Sequence, residues 1–199
     1  MIDHILYADP DLERAVAHFS EQYGVTARSG GRHLGFGTRN ALIGLDRRAY
    51  LELLAIDPEQ DVAPGKRLLE LDVRSAPRFA AWCARADRSL EETVAVARDA
   101  GANLGEIRAM SRARPDGETM SWRLTLPSAG HEGILPFYID WGDTPHPSAS
   151  LGPQLALVSL TLRHPAPDRI CGILAALGEH EVEVEYGREP SLDVVLRGA

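Results

Sequence analysis

The feature that most constrains this chain is a repeat. Tyr7-Ala8-Asp9-Pro10-Asp11-Leu12 can be laid on Arg85-Ala86-Asp87-Arg88-Ser89-Leu90 without a gap. In both places a short apolar run, Ile2 to Ala8 and Phe79 to Ala86, meets an acidic turn that opens a helix. The first helix carries Leu12, Ala15, Val16 and Phe19 at helical spacing and stops at Gly24; the second ends near Gly101. Glycine-rich strands from Gly30 to Leu45 and a strand from Tyr50 to Ile56 complete one β-α-β-β-β unit. Glu106 to Arg112, a turn at Pro115-Asp116-Gly117, Thr119 to Leu126 and Pro136 to Trp141 complete another. A shorter third unit follows: a strand from Leu155 to Leu162, a helix from about Ala166 to Leu177, and strands at Glu181 to Tyr186 and Leu192 to Leu196.

These patterns divide the chain into a first module over residues 1–57, a connection over 58–78, a second module over 79–142, and a loop with a C-terminal partial module over 143–199. With 44% hydrophobic and 25% charged residues in 199, the chain has the balance of an ordinary globular protein with one compact core. The net charge of −8 argues against nucleic acid or an anionic membrane as partner. No stretch approaches the roughly 20 apolar residues of a membrane span. Met1-Ile2-Asp3-His4 lacks the basic start of a signal peptide, so a cytoplasmic home is expected. Cys83 and Cys171 sit inside apolar runs, without the spacing of a zinc site, and read as buried free thiols.

Several chemistries lack their motifs. The glycines between Gly30 and Gly44 do not follow the order Gly-x-Gly-x-x-Gly, and no helix follows them; they read as turns and bulges around strands. No Gly-x-Ser-x-Gly elbow occurs, and His131-Glu132 lacks the second histidine of a zinc-protease helix.

Four strings carry a family resemblance: Ile2-Asp3-His4, Gly31 to Asn40, Tyr50-Leu51-Glu52-Leu53 and Pro136 to Trp141. With the repeated units they resemble the glyoxalase-like branch of the vicinal oxygen chelate superfamily. That superfamily includes glyoxalase I, extradiol dioxygenases, fosfomycin-resistance enzymes and bleomycin-binding proteins. The resemblance implies an α+β fold in which paired βαβββ modules form a curved mixed sheet around a cleft, with the third βαββ unit appended. It implies metal ligands on the first and last strands of each module: His4 and Glu52 in the first, Trp82 and Asp140 at the matching places in the second. Trp82 departs from the pattern, because an indole offers no lone pair to a metal.

Each candidate has a plain alternative. His4 and Glu52 are ligands for a divalent ion (Zn, Fe, Mn or Ni), with Asp140 or His33 as a third, or else a satisfied core histidine and an ion-paired carboxylate. His33 is an acid/base or ligand contact, or a turn histidine; Glu52 shares the catalytic reading. Asn40, Trp82, Trp122 and Tyr138 are candidate substrate contacts, with Trp141 as a further pocket aromatic, and each aromatic residue is more often plain core. His146, between Pro145 and Pro147, reads as an exposed loop residue. Both His33 and Asn40 face one cleft only if a turn or bulge at Gly35 or Gly37 resets the strand alternation. Two functions follow. One is metal-assisted lyase, isomerase or dioxygenase chemistry on a small oxygenated compound; the other is metal-free sequestration of a small molecule. A homodimer is the protein partner that the resemblance admits.

Overall fold

The computed structural model describes residues 1–46, 48–63, 67–71, 76–113, 119–126 and 132–199. The turn expected at Pro115-Asp116-Gly117 lies outside them.

The first module runs β1 (Ile2–Ala8), α1 (Leu12–Tyr23), β2 (Arg28–His33), β3 (Thr38–Gly44) and β4 (Tyr50–Ile56). The second runs β5 (Arg78–Arg85), α2 (Leu90–Asp99), β6 (Glu106–Ala113), β7 (Thr119–Leu126) and β8 (Phe137–Asp140). The matched turns do the same work in both. Asp11 caps α1 by accepting the Arg14 N–H, and Ser89 caps α2 in a reciprocal capping box with Glu92.

All eight strands form one sheet in the order β2-β3-β4-β1-β5-β8-β7-β6, so each module contributes one half and the halves mirror each other about the β1–β5 seam. β1 pairs parallel with β4, β5 pairs parallel with β8, and β1 and β5 meet antiparallel. The sheet curls until the edge strands β2 and β6 come into contact. This is the curled mixed sheet around a cleft that the repeat and the resemblance predict.

Alternation along the strands sorts the side chains. Ile5, Ile43, Leu51, Leu53, Trp82 and Tyr138 face the helices in the larger core, with Phe19 of α1 and Leu90 of α2. Leu6, Leu54, Cys83, Trp122, Phe137 and Ile139 face the hollow in a second cluster. The sheet therefore has an apolar layer on each face, which explains why its central strands β1, β4 and β5 read as nearly continuous apolar runs.

The C-terminal unit runs β9 (Leu155–His164), α4 (Pro167–Leu177), β10 (Glu183–Tyr186) and β11 (Ser191–Gly198), after a one-turn helix α3 (Ser148–Leu151). It forms its own sheet in the order β10-β9-β11. Here the strand after the helix lies directly beside the first strand, whereas in the two large modules two strands stand between them. Ile170, Ile173, Leu174 and Leu177 of α4 join the larger core. Cys171 falls outside that helical stripe and is exposed, which corrects the expectation of two buried thiols; Cys83 is buried. No helix among the described residues is long and apolar enough to cross a membrane.

The strap between the second module and β9 presses on the end of β3. Gly44 has no room for a side chain, because a Cβ there would overlap the Gly152 carbonyl and meet Leu151 Cβ at 3.1 Å. The Gly44 carbonyl also accepts the Gln154 N–H at 2.9 Å. Gly44→Ala is accordingly expected to unseat the strap at a cost of about 1–3 kcal/mol, the range for overpacking. Faster amide exchange at Gln154 with unchanged exchange in α1 would be the signature.

Candidate functional site

The hollow of the large sheet is a narrow cleft, partly open to solvent. Its polar groups converge from the first module: His4 of β1, His33 of β2, Asn40 of β3 and Glu52 of β4. The walls are apolar, among them Leu42, Met110, Trp122, Leu124, Phe137 and Trp141.

Glu52 is the meeting point and is 6% exposed. Its Oε2 lies 3.4 Å from His4 Nε2, and its Oε1 lies 3.8 Å from His33 Nε2. Asn40 Nδ2 donates to Glu52 Oε1 at 2.6 Å and lies 3.3 Å from His33 Nε2. An amide nitrogen only donates, so His33 Nε2 accepts and its ring proton sits on Nδ1, 3.0 Å from Thr38 Oγ1. His33 and Asn40 reach the same cleft because residues 34–37 form a turn between two strands. Gly35 (φ 82°) and Gly37 (φ 65°) adopt the left-handed backbone that this turn requires.

His4 is oriented from behind. Its Nδ1 lies 2.7 Å from Asp3 Oδ1, and its ring stacks on Tyr50 at 4.6 Å. Two adjacent strand residues ordinarily face opposite ways. Asp3 is the extra residue of a β-bulge, since Ile2 pairs with Ala84 and His4 with Cys83. Asp3 Oδ2 also takes Arg85 Nε at 2.9 Å, Trp141 Nε1 at 3.1 Å and His146 Nε2 at 3.1 Å. The Ser148 N–H donates to His146 Nδ1, and His146 Nε2 lies 3.1 Å from both Asp3 Oδ2 and Arg85 Nη2. Burial alone would raise the Asp3 carboxyl, but the hydrogen bonds and charges of His146 and His4 reverse this and hold it far below the usual carboxylate range. Asp3 is therefore an acceptor only, and His4 Nδ1–H is committed to it. His4 Nε2 then meets Glu52 either as a proton donor or through an ion that both ligate.

The structure thus brings His4, His33, Asn40, Glu52 and Trp122 together and leaves three sequence candidates elsewhere. Trp82 is fully buried among the helices, opposite Ile5, with its indole N–H donating to the Ile134 carbonyl at 2.9 Å. Tyr138 lies on the same side, its hydroxyl donating to Glu179 at 3.2 Å; burial, then the Glu179 charge, raise that phenol well above its usual range. Asp140 is exposed and accepts the Gly142 N–H at 2.9 Å. The reason is one residue of parity. The bulge at Asp3 shifts β1 relative to β5, so Cys83, not Trp82, lies on the cleft side beside His4, and Phe137 and Ile139 occupy the cleft side of β8. His146 departs from its expected exposure, being half-buried on Asp3.

Replacing Trp82 with Phe should strand the buried Ile134 carbonyl and cost about 1–3 kcal/mol, without altering anything bound in the cleft. A denaturation curve paired with a ligand titration separates the two effects.

Two groupings are candidates for an ion. Among the described residues, Asp3, His4 and Cys83 have donor atoms within 4.8 Å of one another. That set does not fit. Arg85 already neutralises Asp3, whose Oδ2 also takes the Trp141 ring N–H, and His4 turns its Nδ1 to Asp3 as a hydrogen-bond donor and not as a ligand. His4 and Glu52 do fit, because 3.4 Å lies inside the ~4.4 Å that two ligands at about 2.2 Å from one ion can span. The carboxylate behind His4 and the amide on Glu52 are the outer-shell contacts that such ligands have.

Among solved structures, a hypothetical protein from Staphylococcus aureus matches 100% of this chain and 91% of its own at 17% identity and a TM-score of 0.70. A Streptomyces coelicolor methylmalonyl-CoA epimerase covers 74% of this chain and 98% of its own at 22% identity and a TM-score of 0.46. The Mycobacterium tuberculosis methylmalonyl-CoA epimerase covers 75% and 91% at 19% identity and a TM-score of 0.46. No curated protein matches. The family model described as glyoxalase-like domain matches residues 2–178, nearly the whole chain. With the mirrored modules and the shared cleft on view, the chain belongs to the glyoxalase-like domain family.

Proposed function

We propose that the protein is an enzyme acting on a small oxygenated compound in the cleft, with His4 and Glu52 holding a divalent ion and His33 handling a proton. The observation that carries this reading is the convergence of two imidazole Nε2 atoms on one buried carboxylate, at 3.4 and 3.8 Å, on the floor of an otherwise apolar cleft. Buried polar groups of this kind are costly unless satisfied, and here they are satisfied by one another while facing a hollow. When bound, the ion would supply Lewis-acid polarisation of a substrate oxygen. Asp3 keeps the His4 Nε2 turned to the cleft, Asn40 holds Glu52, and His33 gains or gives a proton at Nε2 while Thr38 steadies its other nitrogen.

Metal analysis of protein purified without a histidine tag, alongside the His4→Ala/Glu52→Ala double variant, tests the reading. A stoichiometric ion in the first, lost in a still folded second, is the expected result. An ion retained by the double variant contradicts it. The second reading, metal-free sequestration, has one observation in its favour: the second module places Cys83, Phe137 and Ile139 where further ligands would stand. Absence of ion uptake with tight small-molecule binding would favour it.

A further inference from the structure

The donors and acceptors on the cleft floor restrict what can be recognised there. Glu52 offers acceptor oxygens, His33 Nε2 accepts, and Asn40 Nδ2 donates to Glu52 and faces His33. Among the described residues that line the cleft there is no lysine or arginine. A carboxylate or phosphate seated on this floor would meet the Glu52 charge in a low-dielectric hollow, where the His4 ring is already held between Asp3 and Glu52 and no described lining lysine or arginine offsets it. A bare carbonyl would bring another acceptor to a floor already rich in them. A hydroxyl suits both states of the site: it donates to Glu52 when no ion is present, and its oxygen ligates an ion when one is.

The walls set the rest of the molecule. Trp122 and Trp141 meet at a centroid distance of 5.5 Å, and the Trp141 ring is fixed by its N–H on Asp3. Phe137, which contacts the His4 ring edge-on at 5.4 Å, and Met110 line the same cleft. Aromatic faces and a polarizable thioether favour a flat apolar body.

We infer that the cleft takes an uncharged, flat, apolar molecule bearing a hydroxyl group, such as a phenol or an enol. The hydroxyl lies on Glu52 and the ring lies against the Trp122–Trp141 pair. This rests on the reading of the Glu52 cluster as the working floor of the cleft, but it does not require the ion.

Equilibrium dialysis of the EDTA-stripped full chain at pH 7 with 2-naphthol, naphthalene and 2-naphthyl phosphate tests it. The expected result is saturable binding of 2-naphthol at least tenfold tighter than either of the others, with that preference lost in Glu52→Leu. Naphthalene binding as tightly as 2-naphthol would overturn the role of the hydroxyl. The phosphate binding most tightly would overturn the exclusion of anions, and no saturable binding by any of the three would overturn the proposal as a whole. The comparison on the unaltered protein decides the matter even if Glu52→Leu fails to fold. Because the protein is stripped of ions, failure of the ion reading leaves this result untouched.

Discussion

Asp3→Ala is expected to lower the unfolding free energy by about 3 kcal/mol, the lower end of the range for breaking a buried ion pair. Asp3 is fully buried and receives four hydrogen-bonding side chains: His4, Arg85, Trp141 and His146. Removing the carboxylate leaves all four groups facing one another with no acceptor between them. Arg85 keeps a quarter of its side chain exposed and can turn partly to water, which is why the lower end applies. Asp3→Asn retains an acceptor oxygen and should recover part of the loss. Urea denaturation at pH 7 measures both variants; a change below about 1 kcal/mol in Asp3→Ala would mean that the hub is not structural.

The second large effect is on ion affinity and comes as a graded series. Glu52→Ala should weaken binding of Zn²⁺ or Mn²⁺ more than 100-fold, beyond the 10–100-fold that loss of an outer-shell partner costs. Asn40→Ala, which removes only the amide that steadies Glu52, should fall within that range. Asp140→Ala should change nothing, because its exposed carboxylate lies off the cleft and serves the Gly142 N–H. Competition against a chelating dye resolves the three. Equal losses for Asn40→Ala and Asp140→Ala would point to a general charge effect and not to the Glu52 site.

The curled mixed sheet was legible in the sequence because the same kind of turn, Asp9-Pro10-Asp11 and Asp87-Arg88-Ser89, opens a helix after an apolar strand in both repeats. The glycines at 35 and 37 likewise revealed that His33 and Asn40 could share a face only across a turn, and both do line the cleft. Strand parity was not legible. An ungapped alignment puts Trp82 on His4, yet one bulge residue moves Cys83 to the cleft face and turns Trp82 to the helices. The same uncertainty of one residue attached Asp140 to a site that Ile139 faces. Nor was the Asp3 hub visible. An acidic residue beside a strand histidine ordinarily points the other way, and His146 and Trp141 reach Asp3 only through a strap whose path depends on Gly44 lacking a side chain. Long-range contacts of that kind have no local sequence signature.

Histidine ¹⁵N NMR of the uniformly labelled protein tests, at the atom concerned, whether His4 presents Nε2 to an ion shared with Glu52. On adding one equivalent of Zn²⁺, the His4 Nε2 resonance is expected to move to a metal-ligated shift while Nδ1 keeps its proton on Asp3, and His33 Nδ1 also keeps its proton. A His4 Nε2 resonance unmoved by saturating Zn²⁺, or one that moves identically in Glu52→Ala, would contradict the account.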